Sequence, residues 1–133
     1  MSRTMKVLSG VGVVIIAAVV LGLYFTASLT KVIDLQLDAI RKGDIQLAYT
    51  YTSKEFQRAT PYDGFVKFLD AYPALKNNKE ISFGERSMSN DTGKVTATLT
   101  ANDGSVTPIQ YSLVKENGEW KILGFVLTQA PSN

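Results

Sequence analysis

The stretch IRKGDIQLAYTYTS, residues 40–53, decides how the first half of the domain is arranged. Arg41 and Lys42 suit the negative C-terminal end of a helix, and Gly43 is the residue type that ends helices in a left-handed conformation. Asp44 is a favoured N-cap for a second, short helix. The stretch therefore predicts a corner at which the chain leaves one helix and folds back in another.

Helical periodicity continues on both sides of this corner. Before it, Ile33, Leu37 and Ile40 recur at spacings of four and three residues, which indicates the buried face of an amphipathic helix. After it, Ser53 can cap a further turn, and TPYDGFVKFLDAYP, residues 60–73, predicts a helix that ends before its final proline. We therefore expect three helices in the first half of the domain.

After Asn78 the periodicity changes to the alternation that is typical of strands. In residues 95–99, apolar side chains alternate with threonine, and Asn117-Gly118 is a strong signal for a two-residue hairpin turn. The last segment, EWKILGFVLTQ at residues 119–129, is apolar on both faces for much of its length. That pattern predicts a central strand or one that is covered on both sides.

The order of these elements predicts an α+β domain. Four antiparallel strands in a meander follow the three helices, so a curved four-stranded sheet is expected to wrap around the helices. This domain would span residues 30–129, and residues 130–133 would form a short tail.

The N-terminal region reads as a membrane anchor. Residues 7–29 contain no charged side chain and would reach about 35 Å as a helix, against about 30 Å for a bilayer core. Arg3 and Lys6 precede this run, so residues 1–6 are expected in the cytoplasm and the domain outside it. The interpretation is a single-pass inner-membrane protein. A cleaved signal peptide is the alternative, although its apolar core would be unusually long.

Small side chains on the predicted membrane helix could mediate helix contacts. Gly10, Val14, Ala18 and Gly22 recur every four residues and would share one face. Such a face lets two helices approach closely in a membrane. The four residues are therefore candidates for contact with another membrane helix.

Composition excludes several classes of function. The chain has no cysteine and no histidine, which removes disulfides, thiolate chemistry, the commonest general base near neutral pH and the commonest zinc ligand. From Lys31 onward, twelve Lys and Arg balance twelve Asp and Glu, which argues against nucleic-acid binding. No metal or cofactor site is predicted.

Several segments together resemble a known fold superfamily. They are Lys42-Gly43-Asp44, AYTYTSKEF at residues 48–56, Tyr72-Pro73, and the closing hairpin LVKENGEWKILGF at residues 113–125. In this order they resemble the cystatin-like or nuclear-transport-factor-like fold, which includes ketosteroid isomerase, in a small membrane-anchored branch. The resemblance implies a cone-shaped domain, whose interior in enzymatic members holds a carboxylate or a histidine facing a tyrosine. It carries no assignment of function, because this fold hosts enzymes and binding proteins alike.

Under that resemblance, Asp70 is a candidate base, but its spacing also puts it on the polar side of a helix near Lys67. The surface position is favoured, so no catalytic residue is predicted and the protein is not expected to be an enzyme. Trp120 is likewise expected to pack in the core. Six aromatic side chains could line a ligand pocket in the cone or simply fill it: Tyr49, Phe56, Phe65, Phe68, Tyr72 and Tyr111.

Two functions are compatible with these features. The favoured one is a membrane-anchored, non-enzymatic accessory or assembly module that contacts other membrane or periplasmic proteins in or beside a membrane complex. The alternative is a binding protein, or less readily an enzyme, for a small apolar ligand inside the cone.

Overall fold

Five helices precede four strands in the computed structural model, which describes residues 29–128. The first helix, α1, is described over residues 29–41. It is followed by α2 (Ile45–Thr50), α3 (Lys54–Ala59), α4 (Tyr62–Ala71), α5 (Pro73–Lys76), β1 (Asn78–Ser89), β2 (Thr92–Ala101), β3 (Val106–Glu116) and β4 (Glu119–Leu127). The predicted α+β class is confirmed.

The predicted membrane helix at residues 7–29 lies outside the described residues except for its last one. The same holds for its proposed contact residues Gly10, Val14, Ala18 and Gly22, and for the tail at 130–133. Among the helices that the structure describes, none is long and apolar enough to cross a membrane.

The corner between the first two helices forms as predicted. Gly43 has a φ of 80°, and the Asp44 carboxylate accepts a hydrogen bond from the backbone N–H of Leu47 at 3.1 Å. The helix count was wrong, because the described residues hold five helices and not three. Ser53 caps a full helix, α3, and Pro73 begins α5 as well as following α4. Proline suits a helix start because the N–H that it lacks has no intrahelical partner there.

The four strands form one antiparallel meander in the order β1-β2-β3-β4. The turn between β3 and β4 is the predicted Asn117-Gly118 pair, whose φ angles are 51° and 80°. Both central residues of this turn need positive φ, which asparagine and glycine tolerate best. The sequence signal for this hairpin is therefore confirmed.

Of the two alternatives predicted for β4, the central position is wrong, because the strand lies at an edge of the sheet. Its pairing with β3 is interrupted: Ile122 lies opposite Leu113, whereas Phe125 lies opposite Tyr111. This irregularity shifts the alternation by one residue, so Ile122 and Phe125 both face the helices. In sequence the strand is apolar on both faces. The reason is that the bulge in its middle changes which face the later residues occupy.

The two edges of the sheet differ in their coverage. The chain between α2 and α3 runs beside β4, where Ser53 N–H donates to the carbonyl of Ile122 and Ile122 N–H donates to the carbonyl of Tyr51, both at 2.9 Å. At the other edge, β1 pairs only with β2 among the described strands. The outer edge of β1 is therefore the more open one.

The core lies between the helices and one face of the sheet. Leu29 is fully buried, and a Cβ atom added to Gly93 would lie 2.7 Å from its Cδ2 atom. Glycine is thus what lets α1 approach the start of β2 so closely. The largest fully buried side chains are Tyr111, Phe65, Leu29, Ile33, Leu37, Leu69, Leu75, Leu99, Leu113, Ile122, Gln36 and Val95.

A buried polar junction, which we call the Asn78 junction, joins three elements at the far end of α1. The Asn78 side-chain amide donates to the carbonyls of Leu37 at 3.3 Å and Leu75 at 2.8 Å. Its oxygen accepts from the Arg41 guanidinium at 2.6 Å. Asn78 therefore ties the end of α1 and the end of α5 to the first residue of β1.

Candidate functional site

Aromatic side chains from α2, α3, α4, β3 and β4 meet between the helices and the sheet. We call this group the aromatic cluster, and its members are Tyr49, Phe56, Tyr62, Phe65, Phe68, Tyr72, Tyr111 and Phe125. It contains all six side chains that the sequence suggested as a ligand pocket. Whether they form a pocket remains a prediction.

Phe125 connects the two halves of the aromatic cluster. Its ring centroid lies 5.2 Å from that of Phe68, 6.0 Å from that of Phe56 and 5.8 Å from that of Tyr111. Without Phe125, Tyr111 would have no ring contact with the helical members. The bulge in β4 brings Phe125 to this face, which is why sequence reasoning did not include it.

Most of the aromatic cluster is only partly buried. Phe65 and Tyr111 are fully buried, whereas the other six members keep some solvent exposure. Aromatic side chains dominate the energetics of cores and interfaces because each can bury a large area. A contiguous, partly exposed group of them is therefore a candidate surface for an apolar ligand.

Tyr111 is unusual within the aromatic cluster because its hydroxyl is buried without a hydrogen-bond partner among the described residues. Burial raises the pKa of the Tyr111 phenol far above its usual range, and the negative charge of Asp34 on α1 raises it further. The group is thus a neutral O–H donor at any physiological pH. Partial burial also raises the pKa of Asp34, against the opposing charge of Arg41.

Tyr49 uses its hydroxyl to hold α2 against α3. The hydroxyl donates to the carbonyl of Thr60 at 2.8 Å, with the carbonyl of Gln57 at 3.3 Å. The Gln57 amide in turn donates to the carbonyl of Tyr49 at 3.1 Å and to the hydroxyl of Thr52 at 3.2 Å. These bonds fix α3 against α2, so the Tyr49 hydroxyl has a structural role.

Asp70 lies where the favoured interpretation put it, on the surface of α4. Its side chain is 55% exposed and forms an ion pair with Lys76. This exposed position differs from that of the interior carboxylate that the resemblance implies for enzymatic members of the fold. No group of three or more acidic side chains that could hold a metal ion occurs in residues 29–128.

Trp120 and the outer face of the sheet add no catalytic arrangement. Trp120 is buried as expected, and the Lys115 ammonium lies 5.7 Å from its ring centroid. Two shallow grooves of about 360–370 Å³ lie on the outer face. Polar side chains such as Ser87, Lys94 and Thr96 line them.

This architecture is similar to that of solved NTF2-like proteins, which supports the predicted fold. An NTF2-like protein of unknown function from Shewanella oneidensis MR-1 is 17% identical with a TM-score of 0.59, over 77% of this chain and 97% of that one. An NTF2-like protein from Campylobacter jejuni is 18% identical with a TM-score of 0.50, over 67% of this chain and 91% of that one.

A third solved structure with this fold is a phospholipid-binding protein from Ralstonia solanacearum, in complex with a phospholipid. It is 20% identical with a TM-score of 0.53 and covers 77% of each chain. The chain belongs to the family described as a domain of unknown function, DUF4864, whose model matches residues 25–133. No curated protein matches the sequence.

Proposed function

We propose that this protein is a membrane-anchored, non-enzymatic binding domain that holds the apolar part of a lipid-like ligand against the aromatic cluster. The observation that carries the proposal is the partial exposure of six of the eight rings around the fully buried Phe65 and Tyr111. Rings that only filled a core would lose most of this exposure. Rings that receive an acyl chain need a face that stays accessible in the free protein.

A protein with the same fold supports a lipid-like ligand. The Ralstonia solanacearum protein binds a phospholipid, so a protein with this type of fold can bind a lipid. At 20% identity the likeness extends to the fold alone. The proposal for this chain therefore rests on its own aromatic side chains.

The non-enzymatic part of the proposal follows from the chemistry of the side chains. The chain has no histidine or cysteine. Asp70 is solvated and paired with Lys76, and the Tyr111 phenol is held in its protonated form by burial. Asp70 therefore lies on the surface and not in the aromatic cluster, and the protonated Tyr111 phenol cannot act as a general base.

The membrane part of the proposal rests on the uncharged run at residues 7–29. Arg3 and Lys6 would keep the N-terminus in the cytoplasm and place the domain in the periplasm. A reporter fused after Asn133 should be active only outside the cytoplasm, and the protein should resist alkaline extraction from membranes. Release into the soluble fraction at a lower mass would instead indicate a cleaved signal peptide.

The ligand proposal is tested with the full chain in amphipol and a neutral, solvatochromic dye that apolar ligands displace. The wild-type protein should bind the dye saturably, and Phe125→Ala should weaken binding about tenfold or more because it removes the ring that joins the two halves of the aromatic cluster. Val126→Ala is the matched control, since Val126 is the next residue and is 68% exposed. Absence of saturable binding to the wild-type protein would refute the proposal.

A second candidate is an accessory module that binds another membrane or periplasmic protein through the edge of β1. The specific observation is that β1 is twelve residues long and pairs only with β2 among the described strands, whereas the edge of β4 is covered. An extended segment of a partner could add to such an edge. A photo-crosslinker at Ser82 should then capture a partner that one at Val126 does not. Purification in mild detergent that yields only a monomer would contradict this function.

A further inference from the structure

We propose that the Tyr111 hydroxyl is the hydrogen-bond donor for an uncharged acceptor oxygen on the ligand, of the kind found in the ester carbonyl of an acyl chain. This inference rests on the proposed binding function and names the ligand class for the same site. In this proposal the aromatic cluster contacts the acyl chain of the ligand, and the Tyr111 hydroxyl binds the ligand's acceptor oxygen. The ligand is therefore a neutral acyl ester and not a free fatty acid or a pure hydrocarbon.

The buried Tyr111 hydroxyl carries an energetic penalty. Tyr111 has no solvent exposure, and its hydroxyl has no partner among the described residues. A buried polar group without a partner destabilises the fold, and phenylalanine would give the same ring without that penalty. A hydroxyl at this position is useful to the protein if a ligand supplies the missing acceptor.

Position distinguishes Tyr111 from the two other buried polar atoms without a partner, Gln36 Oε1 and Trp120 Nε1. The Tyr111 ring lies 5.8 Å from Phe125, the residue that connects the aromatic cluster. The Gln36 side chain is already held by its bond to the carbonyl of Ala48 at 3.2 Å. Trp120 lies beside the Lys115 ammonium, at the hairpin end of β4. Tyr111 is thus the member of the three that borders the candidate ligand surface.

Electrostatics selects an uncharged acceptor. Asp34 lies close enough for its charge to act on the Tyr111 phenol. A carboxylate or phosphate at the Tyr111 hydroxyl would lose its hydration on entering this fully buried site, and the charge of Asp34 would add repulsion. A carbonyl oxygen carries only a partial charge and can accept the O–H bond without that repulsion.

The test compares three probes on the full-length protein in amphipol: methyl decanoate, the decanoate anion and undecane, each by displacement of the neutral dye. The ester and undecane have the same number of carbon atoms, and the ester and the anion share the same acyl chain, so the probes differ chiefly in their polar atoms. The wild-type protein should bind methyl decanoate about 5–10-fold more tightly than undecane, which corresponds to one net hydrogen bond. Decanoate at neutral pH should bind more weakly than the ester.

The Tyr111→Phe variant should remove the preference for the ester and leave the affinity for undecane unchanged. Tyr51→Phe is the matched control, because Tyr51 is a tyrosine outside the aromatic cluster and keeps some solvent exposure. It should retain the full preference. Thermal unfolding of both variants checks that they fold.

The outcomes separate this inference from the function on which it rests. If none of the probes displaces dye from the wild-type protein, the binding function itself fails. If the ester and undecane bind equally well, or if Tyr111→Phe keeps the preference, the binding function stands and the role of Tyr111 is overturned. Tighter binding of decanoate than of the ester would overturn the assignment of a neutral ligand.

Discussion

The Asn78 junction and the surroundings of Tyr111 are two buried polar regions that treat hydrogen bonding in opposite ways. Both Asn78 and Tyr111 are essentially inaccessible to solvent. Asn78 donates to two carbonyls and accepts from Arg41, so its side chain is fully used. The Tyr111 hydroxyl has no partner in the described part of the chain.

The difference teaches where the fold is optimised for stability and where it is not. A satisfied buried amide stabilises the elements that it joins, and its loss leaves several groups without partners. An unsatisfied buried hydroxyl destabilises the fold, so its removal should raise the free energy of unfolding. The aromatic cluster thus includes a group whose presence stability does not explain, which is typical of residues kept for binding.

The largest expected effect is at the Asn78 junction. Asn78→Ala should lower the free energy of unfolding by about 3 kcal/mol, because two carbonyls and the Arg41 guanidinium lose their partner in a buried site. Urea unfolding followed by circular dichroism measures the change.

Asn77→Ala is the control for this prediction. Asn77 is exposed, and its carbonyl, which accepts from the backbone of Asn102 at 2.9 Å, is kept in the variant. The change should be below about 0.5 kcal/mol. Equal effects at the two positions would show that the junction contributes less than its hydrogen bonds indicate.

The next largest effects on stability are expected at Tyr49 and Tyr111. This pair compares a hydrogen-bonded tyrosine hydroxyl directly with an unpartnered one. Tyr49→Phe should destabilise the protein by about 1 kcal/mol, since its hydroxyl bonds to the carbonyl of Thr60 at 2.8 Å. Tyr111→Phe should leave stability unchanged or raise it by about 1 kcal/mol, because it removes an unpartnered buried hydroxyl. Differential scanning calorimetry on both variants measures the sign. A loss at Tyr111 as large as that at Tyr49 would mean that its hydroxyl is satisfied in the free protein.

The smallest effects concern two carboxylates on α1. The pKa of Asp34 is raised by partial burial, so its ionisation opposes folding above the unfolded value of 3.8. The pKa of Asp38 is lowered, chiefly by a hydrogen bond from Lys42, so its ionisation stabilises the fold above 3.8, and this stability is lost as the pH falls through the folded pKa.

The two substitutions should therefore have opposite signs near neutral pH. Asp34→Asn should raise the thermal midpoint slightly and Asp38→Asn should lower it slightly, since Asp34 is exposed and the Asp38 side chain is 44% exposed. For Asp38, the difference from the wild-type protein should vanish once the pH is below the folded pKa. Thermal midpoints recorded across a pH series test the direction of both changes. A change in the same direction for both variants would contradict the opposite pKa shifts of Asp34 and Asp38.

Much of the fold could be predicted because its signals are local. Gly43 and Asp44 mark the corner, and Asn117-Gly118 marks the last hairpin, since each depends on the backbone preferences of one or two residues. The α5 helix was missed because Pro73 is compatible both with the end of one helix and with the start of another. Local preference alone does not choose between these roles.

The candidate site could be predicted only in part. Tyr49, Phe65 and the other four predicted side chains all belong to the aromatic cluster, because apolar rings on the buried faces of amphipathic elements converge on one core. Phe125 could not be assigned, since its face depends on the irregular pairing between β3 and β4. That pairing is a property of two strands together.

By itself, the sequence determined the α+β class, the helix corner, the strand alternation and the absence of histidine and cysteine chemistry. These follow from residue types and from periodicities that operate over a few neighbouring positions. Only the tertiary structure decided that β4 is an edge strand with a bulge and that Asn78 joins α1 to α5. It alone distinguished the bonded hydroxyl of Tyr49 from the unpartnered one of Tyr111. The physical reason is that hydrogen-bond satisfaction depends on groups that are distant in sequence, and chain packing alone brings these together.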